Sequence, residues 1–250
     1  VVEMLNEYMT RMVTIIRANH GIVDKYVGDA IMAIWGVPVK GVDDAGSALK
    51  ACLEMRVALA ELNVLRLSRG QNELRIGMGL NMGQVIAGNI GSNDKMEYTV
   101  IGDSVNLASR MESMTKEYGS DLLVPRVIEQ KCAGRFIFEQ GKSAKVKGKS
   151  QDIEVFQVRG YIDPATGAPQ IVKTLYSNYE SEKSDKVVHA PEPAARAPVM
   201  PPPFRRPPPP QLEMPPNPPA ETEPGAVVIE VERTLPGLEL PSFDLTRKAG

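Results

Sequence analysis

Apolar side chains recur at Val1, Leu5, Tyr8, Met12, Ile15 and Ile16, which is helical spacing with one buried face over residues 1–19. Asn19, His20 and Gly21 close this helix, with Gly21 placed for a left-handed C-terminal turn. The period then changes. Residues 22–27 and 30–35 read as two short apolar strands around a tight Gly28-Asp29 turn, so a hairpin is expected. After a loop at Gly36 and Pro38, Asp43 or Asp44 caps a long helix whose stripe runs Ala45, Ala48, Leu49, Cys52, Met55, Leu59 and Leu62. Residues 74–85 and 85–90 read as strand, with glycines where another backbone approaches closely. A strand at 98–101 precedes a helix over 104–118, which offers Val105, Leu107, Ala108 and Met111 for packing. A strand at 121–124, a short helix at 125–131 and strands at 136–139 and 154–158 follow. This order predicts an α/β (α+β) domain with helices packed over one sheet.

From about residue 160 the periodicity fades. Residues 191–224 are dominated by Pro, Ala and Glu, with proline runs at 201–203 and 207–210. Such a segment buries too little apolar surface to offset its ordering entropy, and polyproline II stretches are expected. A strand over 227–231 is suggested, with nothing nearby to pair with it. The expected division is therefore a folded domain at 1–160 and a mostly disordered, proline-rich tail at 161–250.

Composition narrows the function classes. The chain has 250 residues and a formal net charge of -2, with both signs interspersed, which gives no electrostatic case for a nucleic-acid partner. Cys52 and Cys132 lie far apart without Cys-x-x-Cys spacing, so both are read as reduced and structural, in a cytoplasmic setting. No run of about 18 apolar residues is present, so no membrane span is expected in this chain. The chain opens at Val1, inside a helical pattern, and a preceding segment is expected.

Two constellations carry candidate chemistry. In Lys25-Tyr26-Val27-Gly28-Asp29-Ala30-Ile31-Met32-Ala33, the Asp29 carboxylate sits at a hairpin tip. It either serves the turn or binds Mg²⁺, which favours hard oxygens and few protein ligands alongside substrate phosphates. In Tyr98-Thr99-Val100-Ile101-Gly102-Asp103-Ser104-Val105-Asn106-Leu107-Ala108-Ser109-Arg110, Asn106 and Arg110 share a helix face near its N-terminus. Either they are solvated while Asp103 caps the helix, or they orient a sugar and stabilise a developing phosphoryl charge.

Taken together, these strings resemble the class III adenylyl/guanylyl cyclase family. Gly88-Asn89-Ile90-Gly91 and Lys147-Gly148-Lys149 extend the resemblance, which covers roughly residues 1–160 in four separated segments. It implies a ferredoxin-like, palm-type sheet with flanking helices. It also implies conversion of ATP to cyclic AMP and pyrophosphate in signal transduction, with two Mg²⁺ (or Mn²⁺) ions per site. The site would lie in a head-to-tail homodimer, with the metal carboxylates from one chain and the other residues from its mate. By resemblance Asp29 is a metal ligand, Lys25 and Thr99 read adenine, Asn106 positions the ribose, Arg110 stabilises the transition state and Lys147 contacts the triphosphate. The Lys25 and Thr99 pair matches a bacterial subgroup that is often bicarbonate-responsive.

There are two departures. Gln84 stands where some members carry a phosphate-contacting arginine. No aspartate precedes Asp24, so the family's first strand and its first metal aspartate are missing from this chain. The sheet should then lack an inner strand, and this chain alone should be weakly active or inactive. Two other readings follow from that gap: a catalytically silent dimerisation partner, or a regulatory module that binds nucleotide without turning it over. The run at 207–210, with Arg205 and Arg206, reads first as an inert tether, and otherwise offers a further partner class, an SH3-like or WW-like proline-recognition domain.

Overall fold

The computed structural model describes residues 2–92, 94–141 and 153–178, and the backbone of 221–234. Lys147 and the proline runs fall outside these residues. Helix α1 (Val2–Ala18) buries Tyr8, Met12 and Ile16. It ends in a double turn in which Gly21 N–H donates to the Ile16 carbonyl (2.9 Å) and His20 N–H to that of Arg17 (3.1 Å). The left-handed residue is His20, at φ 65°, and not Gly21 as expected. Gly21 is needed for space instead, because a Cβ there would collide with the Trp35 ring and with Ile16. Trp35 in turn donates its indole N–H to the Asn19 carbonyl (2.7 Å), locking the helix end onto the sheet.

Strands β1 (Ile22–Val27) and β2 (Ala30–Trp35) form the expected hairpin. All six residues of β2 are buried, so this strand is covered on both faces. Helix α2 (Asp44–Ser68) buries every residue of the expected stripe, and Asp43 is its cap, accepting from Gly46 N–H at 3.2 Å. Strand β3 (Arg75–Ser92) runs through both expected strands as one long ribbon, bulged between Gly83 and Val85. Its far half pairs with β4 (Lys95–Ile101), which begins earlier than the sequence pattern indicates. Helix α3 (Asp103–Ser113) stops at Met114, and α4 (Thr115–Tyr118) completes the expected helical stretch. Strand β5 (Leu122–Pro125), helix α5 (Arg126–Cys132), β6 (Phe136–Gln140), β7 (Val155–Ile162) and β8 (Pro169–Ile171) follow.

The remaining strand corrects an expectation. Strand β9 (Glu221–Thr234) pairs antiparallel with β2 on one side and with β3 on the other. Residues 227–231 therefore have two partners, and the interior position expected to stand open is filled. The sheet runs β1-β2-β9-β3-β5-β7-β6, with β4 beside β3 and β8 beside β7. Pattern reading looks for partners nearby in sequence, whereas those of β9 lie beyond the proline-rich segment.

Helices α1, α2 and α5 cover one face, over Ile31, Trp35, Ile76, Met78, Leu80 and Val124. Helix α3 covers part of the other, packing Ala108 against Val85 and Ala87, and Met111 against Leu123 and Val155. Beneath α2, Arg56 and Asp121 (2% and 3% exposed) form a two-pronged ion pair at 2.6 and 2.7 Å. Arg56 also donates to the carbonyls of Val158 and Val172, so four separate stretches of chain meet at one guanidinium. Burial pushes the Asp121 carboxyl up, and the adjacent Arg56 opposes that. Cys52 and Cys132 are both buried and unpaired.

Candidate active site

The position of α3 follows from β3. Gly77 and Gly79 have their missing side chains on the α3 face, where a Cβ at Gly79 would collide with the backbone of Ala108 and Glu112. A Cβ at Gly83 would meet Ser104. These glycines let the helix lie directly on the strand. Two hydrogen bonds pin its first turn: Asn81 Nδ2 donates to the Ser104 carbonyl and Ser104 Oγ to the Gln84 carbonyl, both at 3.0 Å. Gly102, at φ 151°, makes the entry into the helix that an L side chain resists. Asp103 stands inside the helix and does not cap it. Gln84 is exposed at the β3 bulge.

With Leu107, Ala108 and Met111 turned inward, Asn106 and Arg110 are left together on the exposed face of α3. Among the described residues Arg110 has no carboxylate partner, so its guanidinium is available to an anion. Asp29 stands in the β1–β2 turn, partly exposed. Gly28 takes φ 63° there and Asp29 does not take positive φ, which suits a two-residue hairpin turn with glycine first.

Lys25 and Thr99 meet through a residue that the sequence pattern did not single out. Thr99 Oγ1 donates to Asp24 Oδ2 at 2.7 Å across 75 positions of chain. Lys25 Nζ lies 3.7 Å from the same oxygen and 3.7 Å from Glu97 Oε2. The pairing of β1 with β2 shifts register between Val23 and Lys25. A bulge there re-aims side chains that would otherwise alternate, so the consecutive Asp24 and Lys25 serve one place. The available signal was an acidic residue inside an apolar strand, directly before the lysine. Lys95 holds the Glu97 carboxyl below its ordinary value, and Lys25 adds to the effect.

Two features bear on how complete this site is. A cavity of about 330 Å³ beside the first turn of α3 is lined by Asn81, Met82, Asp103, Ser104, Leu107 and Arg126 among others, and by none of the five described candidate residues. The described residues contain no group of three His, Cys, Asp or Glu side chains that could hold a metal. Asp29 by itself fits the Mg²⁺ preference for one or two carboxylates beside phosphate oxygens. In that role it would supply one protein ligand and not two.

The family model described as the adenylate and guanylate cyclase catalytic domain matches residues 1–160. The chain belongs to this family. Cyclases of the family generally use divalent metal ions. The chain is 31% identical to adenylate cyclase 1 of Rhizobium meliloti over 162 residues, 65% of this chain and 24% of that protein. It is 36% identical to an adenylate cyclase of Anabaena cylindrica over 164 residues, 62% of this chain and 31% of that protein. It thus spans about a quarter to a third of the length of these curated relatives. Among solved structures, the guanylyl cyclase Cya2 superposes with a TM-score of 0.61 at 30% identity, covering 67% of this chain and 84% of Cya2. The adenylyl cyclase CyaB from P. aeruginosa superposes with 0.60 at 30% identity and the same coverage. The palm-type sheet with flanking helices is that of the cyclase family. The guanylyl cyclase and the adenylyl cyclase structure match equally well, so the fold does not decide nucleotide choice, which has to be argued from the site. No described helix is long and apolar enough to cross a membrane.

Proposed function

We propose that this cyclase domain is an adenylyl cyclase that makes cyclic AMP and pyrophosphate from ATP, in signal transduction. The observation that carries the proposal is the meeting of Lys25 and Thr99 at Asp24. Lysine only donates hydrogen bonds, and a threonine whose proton is already committed accepts them. Adenine's edge offers an acceptor at N1 and a donor at its amino group, so this pair suits adenine. Asn106 would orient the ribose so that its 3′-oxygen faces the α-phosphorus. Arg110, exposed and without a carboxylate partner among the described residues, would stabilise the charge that develops there. Lys147 is assigned by resemblance to the triphosphate and lies outside the described residues. Two divalent metal ions, when bound, would neutralise the phosphates and ease deprotonation of the 3′-hydroxyl. Asp29 would hold them from this chain.

A head-to-tail homodimer is part of the proposal. Ile86, Ile90 and Ile101 are exposed on the same face of the β3–β4 ribbon as Thr99, and Tyr26 and Val27 are exposed beside Lys25. A second chain covering this apolar surface would bring its own Asp29 to the α3 face of the first. It would also explain why the cavity within one protomer avoids the candidate residues. Having one metal carboxylate among its described residues, this chain alone should turn over ATP weakly or not at all. The same observation favours a second reading, a catalytically silent partner for an active chain.

Cyclic AMP formation from Mg²⁺/ATP and Mn²⁺/ATP tests the proposal, in the chain alone and with any additional segment encoded before Val1. Arg110→Ala should lower turnover in the active form by roughly 10²–10³-fold with little loss of ATP binding. An unchanged rate removes Arg110 from the chemistry, and a preference for GTP overturns the adenylyl reading.

A further inference from the structure

Asp24 would touch neither the base nor the reacting atoms, yet both base-reading side chains converge on it. Its side chain is 1% exposed, and Thr99 is 5% exposed, so water does not compete for the 2.7 Å hydrogen bond between them. A carboxylate only accepts, which fixes the direction of that bond. The Thr99 proton points at Asp24 and only lone pairs remain for a ligand. The same oxygen draws Lys25 Nζ to 3.7 Å, and the β1 bulge lets the two consecutive side chains share one place. Asp24 thereby imposes an acceptor at position 99 and holds a donor at position 25. Guanine presents the opposite order, an acceptor at O6 and a donor at N1, and would face two mismatched groups.

We infer that Asp24 is a positioning residue that sets the preference for ATP over GTP by locking Thr99 as a hydrogen-bond acceptor. The inference rests on the adenylyl reading and adds the device that enforces it. In Asp24→Asn, the amide can donate to Thr99 Oγ1 and turn the hydroxyl outward as a donor.

The test is isothermal titration of the full chain with ATP and with GTP, in Mg²⁺. The ratio of ATP to GTP affinity should fall by about tenfold in Asp24→Asn, the scale of one redirected hydrogen bond. In a Thr99→Val background Asp24→Asn should change the ratio much less, with only the Lys25 contact left to lose, a result that a general loss of structure would not give. Thr99→Asn, with Asp24 intact, serves if Asp24→Asn does not fold. Asp24 would then take the amide N–H and leave Oδ1 facing outward, so ATP preference should survive. An unchanged ratio in folded Asp24→Asn, an equal effect in the Thr99→Val background, or GTP preference in Thr99→Asn overturns the inference and leaves the adenylyl reading standing. Equal binding of both nucleotides by the unmodified chain overturns the two together.

Discussion

At the end of α1, His20 and Gly21 exchange the roles that their types suggest. Histidine takes the left-handed conformation, and glycine provides room for the Trp35 ring. His20→Gly should therefore stabilise the protein by about 1 kcal/mol, since only glycine adopts that conformation without steric cost. Gly21→Ala should destabilise it by roughly 1–3 kcal/mol through overpacking against Trp35 and Ile16. Denaturant unfolding of the two variants checks the assignment, and opposite signs to these would reverse it. Sequence reading found the turn correctly but could not see Trp35, which arrives from a different strand. Asp24 was missed for the same reason. Its importance comes from Thr99, far along the chain, and from a bulge that no local pattern reports. Lys25, Thr99, Asn106 and Arg110 stood out as candidates because their neighbouring residues form recognisable strings. Spacing alone left Asp29, Asn106 and Arg110 divided between ordinary turn or surface roles and catalytic ones.

Among the elements, those whose partners are close in sequence were read well. The β1–β2 hairpin, the α2 stripe and the glycines of β3 all appear where the pattern puts them. Hydrophobic period reports which face is buried, and these elements bury it against neighbours in order. Strand β9 is the counter-example. It was visible as a short apolar run, but its slot between β2 and β3 depends on a contact across most of the chain. Its backbone satisfies the facing edges of both neighbours, from Ile31 to Trp35 on β2 and from Arg75 to Ala87 on β3. Deleting residues 179–250 should leave those edges unpaired, lower the melting temperature by more than about 10 °C and promote aggregation. Calorimetry with light scattering measures both effects. A deletion variant that melts like the full chain would show that β9 contributes nothing to the sheet.

The whole molecule has a sheet whose one face is closed by α1, α2 and α5, while the other carries α3 and the exposed apolar ribbon of β3 and β4. The candidate residues divide into groups in a single chain: Asp29 at a hairpin tip, Lys25 and Thr99 around Asp24, and Asn106 with Arg110 on α3. The account requires two chains to unite them around one nucleotide. Binding and association are then linked, because a ligand that fits only the dimer draws monomers together. Sedimentation velocity of the chain, titrated with an ATP analogue that cannot be cleaved between its α- and β-phosphates, tests this requirement directly. With Mg²⁺ the account predicts a shift from monomer toward dimer that CTP does not produce and that Arg110→Ala, which should spare binding, leaves in place. An analogue that binds fully to monomers, with no change in sedimentation, would contradict a site shared between two chains.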